Sequence, residues 1–589
     1  MTDPNASTIT IAPGAPPSAA LGIDDLSVRY PGRREPSLEE VTLAVRPGEQ
    51  VGVAGRTGAG KSTLVLASAG FIPRVVRARL GGRVVIDGRD AATTAAGDLL
   101  GRVGIIFATP ANQLSASKLS VREELAFGLE NLGIPRDEMD ARIDATLARL
   151  SIGHLADREP FALSGGEQQR VAIASIVAMG TSILVLDEPT AQLDPAGTAA
   201  VADLLAELAR GGASILCVEH DPSVLGRMDS CLVLDAGHPV ALDVPGAALT
   251  EASTAAGLRA PTLVRLAQAA GIDLASAFDE GVIASGLLAR RARSARAPVA
   301  EIAAETNATS APAWFPSSTR LPVRVDIEDL VHRYPSGIEA VRGVSLVIEP
   351  GEAVAVLGQN GSGKTTLVKH LNGLLRPAEG RVLLDGQPTD GRSIAQLAAT
   401  VGFVFQNPDE QLFERSVGRE VSFGPRNLGV PAAVVAERVT ASLAAVGLLD
   451  ERPTNPYDLD LSRRKLVALA GVLAMDPAVL VLDEPTTGQD AEGVARVGAV
   501  VEAMRASGRS VVAITHDMEF AAAHFGRLVV MRDGLVVADG APASVFAPAN
   551  DDLLASTGLT PPPAARIAAR MGLDPVALDA RTLLAALSR

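Results

Sequence analysis

The sequence predicts an α/β protein of two tandem domains, each built on a largely parallel central sheet flanked by helices. Three observations lead there. Motifs recur in the same order: "GRTGAGKSTL" at 55–64 returns as "GQNGSGKTTL" at 358–367, "VLDEPTAQLD" at 185–194 as "VLDEPTTGQD" at 481–490, and "EHDP" as "THDM". Solenoid repeats run to roughly 20–50 residues, so a period this long marks duplicated whole domains, and 589 residues are too many for one core. Finally, short apolar runs such as "QVGVAG", "SILVLDE" and "ASILCVEH" read as buried strands and alternate with apolar-periodic helical stretches.

Residues 1–20, "MTDPNASTITIAPGAPPSAA", are rich in Ala, Pro, Ser and Thr and read as disordered. They lack the basic region and apolar core of a signal peptide. The first domain spans 21–288, opening on "LGIDDLSVRYPG" and closing with a tail, "AGLRAPTLVRLAQAAGID" at 256–273. Turn formers without a clean period make 289–322 the linker. The second domain, 323–589, ends in a similar tail, "TGLTPPPAARIAARMGLD". Both tails read as Pro-started helices, packed at the end of each domain or against one another.

No apolar run reaches the roughly 20 residues needed to span a bilayer, so a soluble chain is expected. A formal charge of −15 opposes nucleic-acid binding by counterion release. Cys217 and Cys231 are too few and too far apart for a zinc cluster or redox pair; they read as buried or incidental thiols, which fits a reducing cytoplasm.

Gly55, Gly60, Lys61 and Ser62 fit G-x-x-x-x-G-K-[ST], as do Gly358, Gly363, Lys364 and Thr365. In such a loop the glycines let backbone N–H groups wrap phosphates, the lysine neutralises the outer oxygens and the hydroxyl ligates Mg²⁺. Gly58, Thr63, Gly361 and Thr366 complete the two phosphate-binding sets. Asp187 and Asp483 end apolar strands, which places a carboxylate beside each loop for Mg²⁺. Glu188 and Glu484 follow at the strand ends that line the ligand crevice of a parallel sheet, where an acid can polarise water. His220 and His516 each lie 33 residues past the aspartate of their own copy. That equal placement points to the γ-phosphate, against the structural role usual for a lone histidine. For Tyr30 and Tyr334, stacking on adenine competes with core packing.

"LSGGEQQR" at 163–170 ahead of "DEPT" resembles the signature of ATP-binding cassette (ABC) ATPases, and the resemblance covers nearly the whole chain in two passes. It implies a P-loop NTPase core with an antiparallel β subdomain and a helical signature subdomain in each cassette, and ATP with Mg²⁺ as ligands. It also implies that two cassettes face head to tail as an internal pseudo-dimer. Each ATP then lies between the phosphate loop of one cassette and the signature of the other, where Ser164 would reach the γ-phosphate and Gly165 and Gly166 admit the backbone at a helix N-terminus.

The second copy departs from this pattern. Its aligned stretch is "LDLSRRKLVALA", which puts Asp460, Leu461 and Ser462 where the first copy has Ser164, Gly165 and Gly166. Leu163 to Asp187 and Leu459 to Asp483 both span 24 residues, so sliding the alignment by two would turn the helix contact face by roughly 200°. A carboxylate there opposes a phosphate by up to about 4 kcal/mol per charge pair at ~4 Å and an effective dielectric near 20. Arg463, Arg464 and Lys465 offset part of that. The family's Mg²⁺-reaching glutamine, which also senses the membrane partner, is matched by Gln406 in "FVFQNPDEQLF", but by Ala108 in "IIFATPANQLS". Under the head-to-tail arrangement both departures fall in the one composite site built on Lys61.

"AFGLENLGIP", "SFGPRNLGVP" and "HLNGLLRPAEGRVLLDG" resemble the ATPases of energy-coupling factor importers, including the cobalt and nickel branch and the fused double ATPases of thiamine-precursor importers. That resemblance implies an integral membrane coupling subunit, a membrane-embedded substrate-binding subunit and a peripheral location on the cytoplasmic face of the cell membrane. The competing class is a soluble double-cassette factor acting on ribosomes, which carries a long basic helical linker between two good signatures; here the linker is short and Ala/Pro rich. An ATPase of another importer or of an exporter is the further alternative.

Overall fold

A computed structural model describes residues 19–191, 193–250, 258–294 and 321–587. The disorder read for the start of the chain, through residue 18, and the linker between 295 and 320 lie outside the described residues. The chain divides into two compact units: residues through Gln268 with Ile272–Phe278, and Ala269–Gly271 with Asp279 onward.

In the first unit an antiparallel sheet runs in the order Leu38–Val45, Leu21–Arg29, Arg79–Ile86, Arg89–Asp90. A six-stranded sheet follows the order His238–Asp243, Ser230–Asp235, Gln50–Gly55, Ser214–Val218, Ile183–Asp187, Val103–Ile106. Its neighbours pair in parallel except at the His238–Asp243 edge, which is antiparallel. The second unit repeats this order strand for strand: Glu339–Ile348, Val325–Arg333, Glu379–Leu384, Gln387–Pro388 in one sheet, and Leu535–Gly540, Arg527–Arg532, Ala353–Leu357, Ser510–Ile514, Val479–Asp483, Val401–Val404 in the other. Duplication therefore extends from the motifs to the topology.

Strand alternation divides each core in two. Ile183 and Val185 pack with the strands of the antiparallel sheet, through Leu21, Ile23 and Ile86. Leu184 and Leu186 turn the other way, to Leu125, Leu129, Ile143 and Val171 on the helices Val121–Asn131, Arg136–Arg149 and Gly165–Ala178. In the second unit Val479 and Val481 face the antiparallel sheet. Leu480 and Leu482 face Val421, Val439, Leu443 and Leu466 on Val417–Asn427, Ala432–Ala445 and Leu461–Ala474. At about 1.5–3 kcal/mol per fully buried aliphatic side chain, these residues fix the strand ends on which the site is built.

Each tail contains a helix. Thr262–Ala270 follows Pro261, and Pro563–Arg570 starts on its proline. A further helix, Glu280–Ser294, runs into the first residues of the segment read as linker. Glu280 at its start accepts from Arg566 at 2.7 Å and pairs with Arg570 at 3.4 Å, joining the tails of the two copies within the second unit. Both cysteines are buried free thiols. Among the described residues no helix is long and apolar enough to cross a membrane.

Candidate functional site

Each phosphate loop joins the C-terminal end of a parallel strand to a helix, Gln50–Gly55 to Lys61–Ser68 and Ala353–Leu357 to Lys364–Lys369. Gly60 and Gly363 stand at the helix N-caps with φ of 98° and 100°. A Cβ on Gly60 would meet the Ser37 carbonyl oxygen at 2.4 Å, and one on Gly363 the Ala340 oxygen at 2.1 Å, so neither position admits a side chain. The buried Lys61 Nζ donates to the carbonyls of Gly55 at 2.8 Å and Arg56 at 3.1 Å; Lys364 Nζ donates to Gly358 at 2.7 Å and Gln359 at 2.8 Å. Gly58 and Gly361, also at positive φ, have open space before them.

Asp187 and Asp483 arrive beside the loops at the ends of their strands, where the hydroxyls of Ser62 and Thr365 respectively act to lower their carboxyls. Burial, then the neighbouring Glu188, raises the Asp187 carboxyl above its ordinary value. Burial and Glu484 push Asp483 up to about 6, against the pull of Lys369 and Lys364. Oδ1 of Asp483 is buried without a hydrogen-bond partner.

Glu188 and Glu484 take left-handed backbone angles, φ 49° and 50°, directly after those strands. This turns each carboxyl back to the histidine that follows the next strand. His220 Nε2 lies 3.0 Å from Glu188 Oε1, and His516 Nε2 lies 3.0 Å from Glu484 Oε1. Burial raises both glutamates, but the histidines together with the loop lysines Lys61 and Lys364 more than offset it and leave both acids net below their ordinary range. His516 also meets Asn360 Oδ1 at 3.2 Å, tying it to its own phosphate loop.

The signature helices begin in register. Ser164 caps Gly165–Ala178 in a reciprocal box with Glu167, and Asp460 caps Leu461–Ala474 by accepting from Arg463 N–H at 2.9 Å. Both caps precede the strand-ending aspartate by 23 residues, which is the ungapped alignment. Space is open at Gly165, whereas its counterpart Leu461 is 43% exposed. A Cβ added at Gly166 would stand 3.5 Å from Leu193, and at the matching place Ser462 donates to Gln489 Oε1 at 2.6 Å.

Gln406 is exposed beyond the strand Val401–Val404, and Ala108 stands at the matching place in the first copy. Tyr30 is half-buried against the first core with its hydroxyl 3.2 Å from Thr63 Oγ1, while the 36% exposed Tyr334 has its hydroxyl 3.0 Å from Thr366 Oγ1. Sequence reasoning missed Asn360, Glu219 and the reach of Lys465 toward Glu484. Comparing copies position by position would have singled out Glu219, a glutamate where the second copy has Thr515, and Lys465, a lysine in place of Gln169.

The family model described as ABC transporter matches residues 38–191 and 341–487, which take in both phosphate loops, both signature helices and both strand-ending acid pairs. The chain belongs to the ABC transporter family. It is similar, at 38% identity over 95% of this chain and 92% of the relative, to a Methanosarcina acetivorans protein provisionally named an ABC transporter ATP-binding protein. A Caldanaerobacter subterraneus subsp. tengcongensis protein named in the same way is 32% identical over 93% of this chain and 96% of its own. The solved structure of cbiO1 from Clostridium perfringens, described as part of the ABC transporter complex cbiONQ, is 36% identical with a TM-score of 0.36, covering 40% of this chain and 98% of that one. This ABC protein is thus a double-cassette, ATP-binding transporter ATPase, which works with membrane transporter partners.

The first cassette also buries a third acid. Glu219 accepts from Thr190 Oγ1 at 2.7 Å, from Thr190 N–H at 3.1 Å and from His220 N–H at 3.1 Å. Burial, with Asp221 and Glu188 adding to it, pushes its carboxyl up to about 8 from an ordinary value of 4.5. Between those values the folded chain holds a proton that the unfolded chain releases. The stabilisation is full below the lower value and is lost as pH rises through the upper one. Glu219→Gln, neutral throughout, should therefore show its largest melting-temperature deficit against the parent near pH 5. Calorimetry should find that deficit narrowing toward pH 9, and a constant deficit would contradict the buried protonated acid.

Proposed function

We propose that this ABC ATPase powers an energy-coupling factor type importer from the cytoplasmic face of the membrane. It would act through an integral coupling subunit and a membrane-embedded subunit that binds a vitamin or metal ion, a thiamine precursor being the candidate the fused double form suggests. The loops "AFGLENLGIP" and "SFGPRNLGVP" support this reading.

Within the chain we assign one full catalytic site and one weakened one, each completed by the signature of the other cassette. The observation that carries this is the pairing of departures: Asp460, capping its helix where Ser164 caps the other, and Ala108, standing where Gln406 does, both fall to the site of Lys61. The full site joins Lys364, Gln406, Asp483, Glu484 and His516 to Ser164, Gly165 and Gly166. Thr365, Asp483 and Gln406 would hold Mg²⁺, and the unpartnered buried Oδ1 of Asp483 fits that demand. When bound, the ion supplies positive charge to the phosphate oxygens. Lys364 neutralises the outer phosphate oxygens and Ser164 donates its hydroxyl to the γ-phosphate. Glu484, ionised and held by His516, takes the proton of the attacking water as the new P–O bond forms and the bond to ADP breaks. Glu188, His220, Ser62 and Asp187 make the same set around Lys61 without the glutamine or serine.

Loss of a positioned base costs about 10²–10⁴-fold in rate, so Glu484→Gln should abolish most turnover and Glu188→Gln much less. Restoring "LSGG" at 459–462 together with Ala108→Gln should raise the sensitivity to Glu188→Gln. Equal losses from the two single variants, measured in the membrane complex, would return both sites to equal standing. Two ATP molecules should bind per chain of the Glu188→Gln, Glu484→Gln variant at equilibrium, because both loops are complete; a stoichiometry of one would mean that the weakened site holds no nucleotide. In gradient sedimentation of cell extracts the chain should travel with membranes through an integral partner. Recovery with ribosomes instead would replace the importer reading.

A further inference from the structure

The second signature helix is built differently from the first on the side facing its own cassette. Lys465, buried at 7% exposure on that helix, donates from Nζ to the carbonyl oxygens of Thr487 at 2.8 Å and Glu484 at 3.2 Å. One turn earlier, Ser462 Oγ donates to Gln489 Oε1 at 2.6 Å, and Gln489 Nε2 donates back to the Ser462 carbonyl at 3.1 Å. Four hydrogen bonds thus fasten the helix start to the segment 484–489, which begins with the acid assigned as general base. At the positions of Lys465, Ser462 and Gln489 the first copy has Gln169, Gly166 and Leu193. Gln169 Nε2 is buried without a hydrogen-bond partner, and Gly166 has no side chain with which to make the bond that Ser462 makes. There the Glu188 carbonyl accepts from the Ala191 N–H, at 3.2 Å, within its own turn.

We infer that Lys465 is a positioning residue for Glu484, and that the signature of the second cassette acts in cis as a strut for its own catalytic segment. The inference rests on the assignment of Glu484 as the working base. A non-glycine residue at φ 50° is strained and persists only where its surroundings over-determine it. Both backbone groups of Glu484 are held: its N–H donates to the Ile514 carbonyl at 3.0 Å, and its carbonyl accepts from Lys465. The ammonium also lies near two buried carboxylates, Asp483 and Glu484, whose mutual repulsion it reduces. Glutamine in the same place carries no charge, and the Nε2 of Gln169 finds no partner there. Ser462, which departs from the phosphate-clasping pattern, is thus also one of the residues that bind this helix to the segment of the base.

The test uses the full chain in its membrane complex, on the Glu188→Gln background, so that the parent rate itself reports whether Glu484 carries turnover. Misplacing a reacting group by about 1 Å costs up to ~10²-fold; Lys465→Gln should accordingly lower kcat by about tenfold or more, with KM for ATP within about twofold of the parent. Lys465→Arg, which keeps charge and donors, should recover a large part of the loss. Hydrogen–deuterium exchange should rise in the peptide covering 484–490 of Lys465→Gln and stay unchanged in the matching peptide of the first cassette. An unchanged kcat would overturn the strut, as would a parallel rise in KM, no rescue by arginine or exchange that rises throughout the cassette. A low parent rate on the Glu188→Gln background would instead count against the asymmetric assignment and is read separately.

Discussion

Two carboxylates in succession at the end of a fully buried strand set the terms for the rest of each cassette. Asp483 and Glu484 follow four buried apolar residues, and the chain must bring both to the edge of the phosphate loop without leaving either charge unpaired. Burying a charge is costly unless it is partnered. The fold meets this with groups from four directions: the loop lysine Lys364, the Thr365 hydroxyl, His516 from the adjacent strand end, and Lys465 from the signature helix. The left-handed turn at Glu484 separates the two acids, so that one faces the loop and the other faces the histidine. The flanking layers hold the strand ends where these partners converge.

The same constraint is met unequally in the two copies. The first cassette has the histidine and the loop lysine, but where the second places Lys465 it has a glutamine with a free buried amide group. It adds another acid, Glu219, which burial keeps protonated near neutral pH. That cassette nevertheless keeps the more open helix start, with open space at Gly165 and a serine cap. On the proposed assignment, one cassette would present the intact signature and the other the better-supported base. A symmetrical pair would need both features in both copies.

Much of this was legible in the sequence because the chemistry leaves few choices. The glycines of the phosphate loops cannot be replaced without collision at Gly60 and Gly363, and each strand had to be apolar on both faces to lie between two layers. The alignment of Asp460 with Ser164 followed from counting residues, and the two helices begin where the count places them. What escaped were contacts set by tertiary distance. Lys465 looked like one cation among three beside Asp460, yet its helix turns it inward to the Glu484 carbonyl, while Arg463 and Arg464 pair with Glu451 and Asp409. Glu219 was hidden inside a strand-end motif whose histidine drew attention. The helix Glu280–Ser294 extends into the segment read as linker, and Glu280 at its start is held by Arg566, far away in sequence, which no local pattern announces.

The central claim is that one site works while the other holds nucleotide without comparable turnover. Single-turnover hydrolysis in the assembled membrane complex tests it most directly, with both sites of the parent chain filled with γ-labelled ATP before Mg²⁺ is added and the reaction quenched over time. The account predicts that one ATP per chain is consumed in a fast phase while the second persists well beyond it. Loss of both in a single phase with one rate constant would contradict it.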